Sequence, residues 1–152
     1  MGQTNGEIKF SASHVVEYAY RRSVGAVLGR FFTELRSRRL VGSRTRAGRV
    51  LVPPCEYDPD TGEAVDEIVN VGPAGVVTSW AWVHAPSAKH PLARPFAWAL
   101  VRLDGADTAM LHAVDAGSEA RMRSGMRVTP RWRAETAGEI HDIECFEPEA
   151  AR

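Results

Sequence analysis

Cysteine is scarce in this chain: Cys55 and Cys145 are its only two in 152 residues. So sparse a pair excludes a disulfide framework and fits a reducing compartment. Long hydrophobic runs are missing as well, since no stretch approaches the ~20 apolar residues that cross a bilayer. The opening MGQTNGEIKF has neither the basic region nor the apolar core of a signal peptide, so the expected location is cytoplasmic, with no membrane partner. The sequence also lacks G-x-S-x-G, G-x-x-x-x-G-K-[ST] and G-x-G-x-x-G, the strong local signals for acyl hydrolysis, nucleoside triphosphates and dinucleotides. Its five histidines show no H-x-x-x-H or H-E-x-x-H pairing. Cys145 lies between acids in IHDIECFE, and negative neighbours raise a thiol's pKa and blunt its reactivity. No catalytic residue is therefore expected, and a stand-alone enzyme is the least supported reading.

Apolar residues make up 44% of the chain and charged residues 25%, which excludes a disordered polypeptide. A net charge of zero hides a polarity along the sequence. Residues 1–52 hold ten Lys/Arg against three Asp/Glu, residues 53–70 hold none against six, and the remainder holds nine against ten. Nine of the first ten cations are arginines, whose planar forks suit phosphate or carboxylate. A solvated helix face paired with acids elsewhere is the competing explanation.

Along the chain, HVVEYAY (14–20) reads as a strand or an extended arm. The first clear element is VGAVLGRFFTELRSRRL, in which Val24, Val27, Leu28, Phe31, Phe32 and Leu35 recur at helical spacing. Gly25 and Gly29 each cost such a helix roughly 1 kcal/mol relative to alanine, so it is expected to depend on docking, another chain being one candidate. From Ala64 the period changes to two. Strands are expected at 66–71, 75–84, 96–103, 109–114, 126–133 and 140–146, separated by Gly72-Pro73, Asp104-Gly105, Ala116-Gly117 and Ala137-Gly138. Six short strands without a long helix among them argue for a small barrel, of which the five-stranded OB fold is the commonest at this size. HAPSAKHPLARP interrupts the pattern as a Pro-rich excursion, and loops of that length are more often functional than idle.

Between helix and barrel lies TRAGRVLVPPCEYDPDTGE, laid out like two tight knuckles flanking a hairpin. A structural zinc ribbon needs four soft ligands in two C-x-x-C pairs. Thr45, Gly48, Asp58 and Thr61 stand in those places and offer one anionic ligand, so zinc is not expected. Trp80 and Trp82 alternate on one strand, on the face that carries Val76, with Trp98 on the next strand and Trp132 further on. Such a face could stack nucleic-acid bases, but few basic residues accompany it. Core packing or a protein-facing surface accounts for it more simply, and a single-stranded nucleic-acid-binding OB fold is the alternative reading.

ELRSRRLVGSRTRAGRVLVPP, DPDTG, AGVVTSWAWV, FAWALVRLDGADTAMLHAVDAG, GMRV and CFEP, in this order and spacing over about residues 18–148, resemble the acyl-CoA-associated OB-fold proteins with an N-terminal rubredoxin-like zinc ribbon. The ribbon is the departure. The resemblance implies a mainly β fold: arm and amphipathic docking helix in 1–40, a degenerate, zinc-free ribbon hairpin in 41–63 and an OB-fold barrel in 64–150. It also implies an accessory subunit that forms a hetero-oligomer with a thiolase-like partner. YDPDTGE after VPP looks closest to the branch that pairs with lipid-transfer-protein-type thiolases acting as aldolases on steroid or lipid CoA esters. On that basis Phe31, Phe32 and Leu35 are expected to dock the partner. Arg44, Arg46 and Arg49 are expected to meet coenzyme A phosphates, and Trp80, Trp82 and Trp98 to form the acyl or partner surface.

Overall fold

The computed structural model describes residues 12–18 and 23–150 of the chain. Residues 12–18 form no regular element and are exposed, Val15, Val16 and Tyr18 among them, while the rest of HVVEYAY lies outside the described residues. Helix α1 runs Gly25–Arg36 and buries Phe31, Glu34 and Leu35. It stops four residues short of the expected end at Leu40. Arg38 adopts a left-handed conformation (φ 56°), and Ser37 N and Arg39 N both donate to Glu34 O, closing the last turn.

The chain then makes a three-stranded antiparallel sheet from β1 (Leu40–Arg44), β2 (Val50–Leu51) and β3 (Glu67–Val71), in the order β2-β1-β3. This corrects one expectation from the sequence, since the strand at 66–71 was assigned to the barrel. It pairs instead with β1 over its whole length, from Leu40↔Val71 to Arg44↔Glu67, so the two sheets meet at Gly72-Pro73 rather than at Ala64. Two-residue periodicity marks a strand but says nothing about which edge it joins.

The remaining five strands are β4 (Gly75–Val83), β5 (Phe96–Leu103), β6 (Met110–Val114), β7 (Arg127–Trp132) and β8 (Ile143–Pro148). They close into a barrel in the order β4-β5-β6-β8-β7, with β6 and β8 parallel through Val114↔Phe146 and every other pair antiparallel. This is the OB arrangement. Closure brings β4 and β5 so near that a Cβ on Gly75 would sit 2.6 Å from Arg102 O, which leaves room for glycine only.

A single core runs through all parts. Phe31 and Leu35 of the helix, Leu40, Val41, Val50 and Val52 of the first sheet, and Val77, Val101, Met110, Val128 and Phe146 of the barrel belong to one buried cluster. Hydrogen bonds reinforce the joins: Val50 N donates to Asp107 Oδ2 (2.8 Å) and Val52 N to Thr108 Oγ1 (2.7 Å). On the other flank, Arg36 donates to Ala137 O (2.8 Å), Thr136 Oγ1 to Arg36 O (2.8 Å) and Arg38 to Arg133 O and Ala134 O (3.1 and 3.0 Å), fastening α1 to the loop before β8.

Candidate partner and ligand surfaces

The ribbon keeps its two knuckles without metal-binding chemistry. In the first, Thr45 N donates to Arg49 O (2.8 Å), Gly48 N to Thr45 O (2.9 Å) and Arg49 N to Thr45 Oγ1 (3.2 Å). In the second, Gly62 N donates to Asp58 O (2.8 Å) and Asp60 N to Asp58 Oδ1 (2.9 Å). Thr61 Oγ1 accepts from Glu63 N (3.3 Å), so both hydroxyls and the one carboxylate at these positions are already engaged with their own turns, and the set does not fit a structural zinc. What ties one knuckle to the other is a pair of ion pairs, Arg46–Glu63 at 3.0 Å and Arg49–Asp60. Both are solvent-exposed, and exposed pairs contribute ~0–1 kcal/mol. Arg46→Ala and Arg49→Ala should each therefore lower stability by less than about 1 kcal/mol in denaturant titration, and a chelator should leave Tm unchanged. A chelator-induced drop in Tm would contradict this account.

The same ion pairs bear on the expected phosphate contacts. Arg46 and Arg49 face Glu63 and Asp60, and Arg44 lies 3.7 Å from Glu67. All three arginines therefore already have an acid of the segment that follows them. The acids of residues 53–70 and the basic first third meet as neighbours in space.

The three helix residues expected at a partner interface have a different placement. Phe31 and Leu35 are 1% and 0% exposed, enclosed by their own chain, and only Phe32 is half-buried. The helix docks onto β1 and onto the short 3-10 turn before β8. A helical stripe declares that something covers it, and here the cover is this chain's own sheet and barrel. Val24, Val27 and Leu28, nearer the helix start, keep partial exposure.

The tryptophans separate into two groups. β4 carries a bulge between Val77 and Ser79, where two steps on β4 oppose one on β5. The extra residue, Thr78, reverses the alternation, so Trp80 and Trp82 share the face of Val77 and pack on the core instead of aligning with Val76. Both rings are therefore half-buried against the core instead of standing on the outward face. Trp98 points the other way. It belongs to a smaller cluster with Leu92, Phe96, Ala113 and Cys145, its ring edge-on to Phe96 at 5.3 Å.

This outer cluster is roofed by the Pro-rich excursion, whose Leu92 is 6% exposed. Beside it, Leu100 and Leu111 pair across β5 and β6 with 41% and 61% of their surfaces open. A cleft of about 490 Å³ opens there between Lys89, His90 and Pro91 of the excursion, Trp98 and Leu111 of the barrel wall, and Arg133, Ile140, His141 and Ile143. Sequence reasoning singled out the excursion but not this cleft, whose residues come from five separate segments.

Burial shifts two groups of the kind that serve catalysis. Cys145 is fully buried, and burial, reinforced by nearby carboxylates against the Arg131 charge, pushes its thiol up to about 12. Burial also holds His112 below the ordinary imidazole value, edge-on to Phe146 at 5.5 Å, so it is neutral at pH 7. No group of three or more His, Cys, Asp or Glu side chains among the described residues is placed to hold a metal ion, and no helix among them is long and apolar enough to cross a membrane.

Fold and surfaces together define an OB-fold barrel with a helix and a ribbon-like sheet packed on one side, held in one core. Residues 68–133 match the family model described as the ChsH2 C-terminal OB-fold domain, a span running from β3 to just beyond β7. A solved structure described as the Ltp2-ChsH2(DUF35) aldolase contains a chain similar to this one, with 25% sequence identity and a TM-score of 0.61, covering 84% of this chain and 98% of that one. A DUF35-family protein of unknown function from Sulfolobus solfataricus shares the fold at 22% identity and a TM-score of 0.57, over 70% of this chain and 77% of the other. No curated protein matches this chain.

Proposed function

We propose that this chain is a non-catalytic accessory subunit of a thiolase-like aldolase of the lipid-transfer-protein type, and that it helps bind the acyl-CoA substrate, a steroid or lipid CoA ester. The observation that carries this reading is the likeness to a chain of the Ltp2-ChsH2(DUF35) aldolase over 98% of that chain's length. The chemistry agrees with a helper role. The thiol of Cys145 is fully buried and burial raises its pKa to about 12, which withholds it as a nucleophile. Docking would then use apolar surface the fold leaves open, namely Leu100 and Leu111 on the barrel and Val24 with the free part of Phe32 on the helix. Phe31 and Leu35 would act behind that surface by holding α1 in place.

Co-expression tests the reading. With a lipid-transfer-protein-type thiolase encoded nearby, the two chains should elute as one complex at micromolar concentration, and Leu100→Asp or Leu111→Asp should release them while each stays folded. Separate elution of the unaltered pair at that concentration removes the proposal's main support.

A further inference from the structure

The cleft beside the Pro-rich excursion has the make-up of a ligand site. Its volume of about 490 Å³ lies in the ~300–1,000 Å³ range of small-molecule pockets. Trp98, Leu111, Ile140 and Ile143 give it an apolar side, and Leu111 is left 61% exposed at its edge. Lys89 and Arg133 stand at its rim, and neither forms an ion pair among the described residues. His90 is fixed between them: Ser87 N donates to its Nδ1 (2.8 Å), which places the proton of the neutral ring on Nε2 and leaves that nitrogen as a donor. Glu135, Glu139, Asp142 and Glu144 line an adjoining groove that shares Pro91 and Arg133 with the cleft, and no acid among the described residues lines the cleft itself.

An aromatic and aliphatic wall with cationic donors at the edge selects a planar organic anion. We infer that this cleft takes such an anion, and that its occupant is the adenosine 3′,5′-bisphosphate end of coenzyme A. The inference rests on the acyl-CoA reading above and relocates the phosphate contacts. The ribbon arginines already face Glu63, Asp60 and Glu67, whereas neither Lys89 nor Arg133 forms an ion pair among the described residues. The base lies against Trp98, and the phosphates reach the two cations.

Isothermal titration of the full chain with adenosine 3′,5′-bisphosphate, adenosine and 1-naphthoate tests this. The bisphosphate should bind, adenosine should bind at least about tenfold more weakly, and Lys89→Ala with Arg133→Ala should weaken the bisphosphate by roughly tenfold or more. Both side chains are exposed, so the double variant keeps its fold, which circular dichroism verifies. Arg46→Ala with Arg49→Ala should leave the affinity unchanged. Absence of binding at millimolar nucleotide, undiminished binding in the Lys89/Arg133 variant, or loss in the ribbon variant overturns the inference. Binding of naphthoate without the bisphosphate overturns the coenzyme A assignment. The titration needs no partner, so co-elution without nucleotide binding removes the cleft alone, and nucleotide binding without co-elution removes the subunit reading alone.

Discussion

Phe31→Ala should destabilise the isolated chain by about 3–5 kcal/mol, read as a lower denaturant midpoint at unchanged slope. Phe31 is 1% exposed in the cluster that joins helix, first sheet and barrel, with Phe32 against it at a ring distance of 5.7 Å. Truncation forfeits the transfer free energy of the ring and leaves a cavity that a closed barrel and a paired sheet cannot collapse to fill. At its start the helix has little else to hold it, since Leu35 and the Arg36 and Thr136 hydrogen bonds lie toward its end. Its N-cap Val24 has no capping side chain, Ser23 Oγ accepts only the Gly25 N–H (3.2 Å), and two glycines lie in its first turns. The experiment separates two roles for the same stripe. A side chain serving a partner interface would leave the free chain's stability intact and lower only the affinity for the partner. If Phe31→Ala melts like the parent, the helix is not part of this chain's core and the packing described above is wrong.

Asp142→Ala is the second large effect, about 3 kcal/mol. Asp142 is 1% exposed, and its carboxylate accepts from the backbone N–H groups of Ala137 (2.8 Å), Gly138 (2.8 Å) and Glu139 (3.2 Å). Hydrogen bonds to a charged group contribute ~1.5–3 kcal/mol each, and water reaching these partly exposed N–H groups offsets much of the sum. The loop so held is the one whose Thr136 and Ala137 grip Arg36 at the end of α1, so the loss spreads to the helix. Asp142→Asn keeps one acceptor and should cost less. Burial opposes ionisation of Asp142, but the three N–H donors prevail and its pKa is lowered. A carboxyl with a depressed folded-state pKa contributes stability above its unfolded value, ~3.9, and loses that contribution as pH falls through the folded value. Acid denaturation of the parent should therefore steepen below pH ~4, and the Asp142→Ala variant should show a smaller acid-dependent loss. Equal pH slopes in parent and variant would rule out Asp142 as one of the acid-sensitive groups.

Much of the secondary structure was legible in the sequence. The period-two run at Phe96–Leu103 became β5 with the same bounds, and the Gly/Pro punctuation marks the joins between strands. Missing ligands at Thr45, Gly48 and Thr61 were equally plain, because coordination chemistry depends on residue type. The helix end was less so: Arg38 takes a positive φ without being glycine, which composition does not foretell.

The surfaces were harder to read. Alternation along GVVTSWAWV set Trp80 and Trp82 beside Val76, but a bulge exists only against the strand it faces, so the pairing with β5 turned them inward. Nine arginines suggested phosphate, yet the acids that face Arg46 and Arg49 lie 17 and 11 residues further on, brought close by the ribbon's folding.

By itself, then, the sequence determined most of the helix and roughly where the barrel strands lie, that these strands suit a small barrel, and that the ribbon lacks the four-cysteine set, because turn chemistry, periodicity and donor type act within a few residues. Tertiary structure alone decided that β3 joins the first sheet, that Phe31 and Leu35 face their own chain, and that Trp98, Leu111, Lys89 and Arg133 share one cleft. Those outcomes depend on which distant surface covers each face, and a periodic pattern states that a face must be covered without naming its cover.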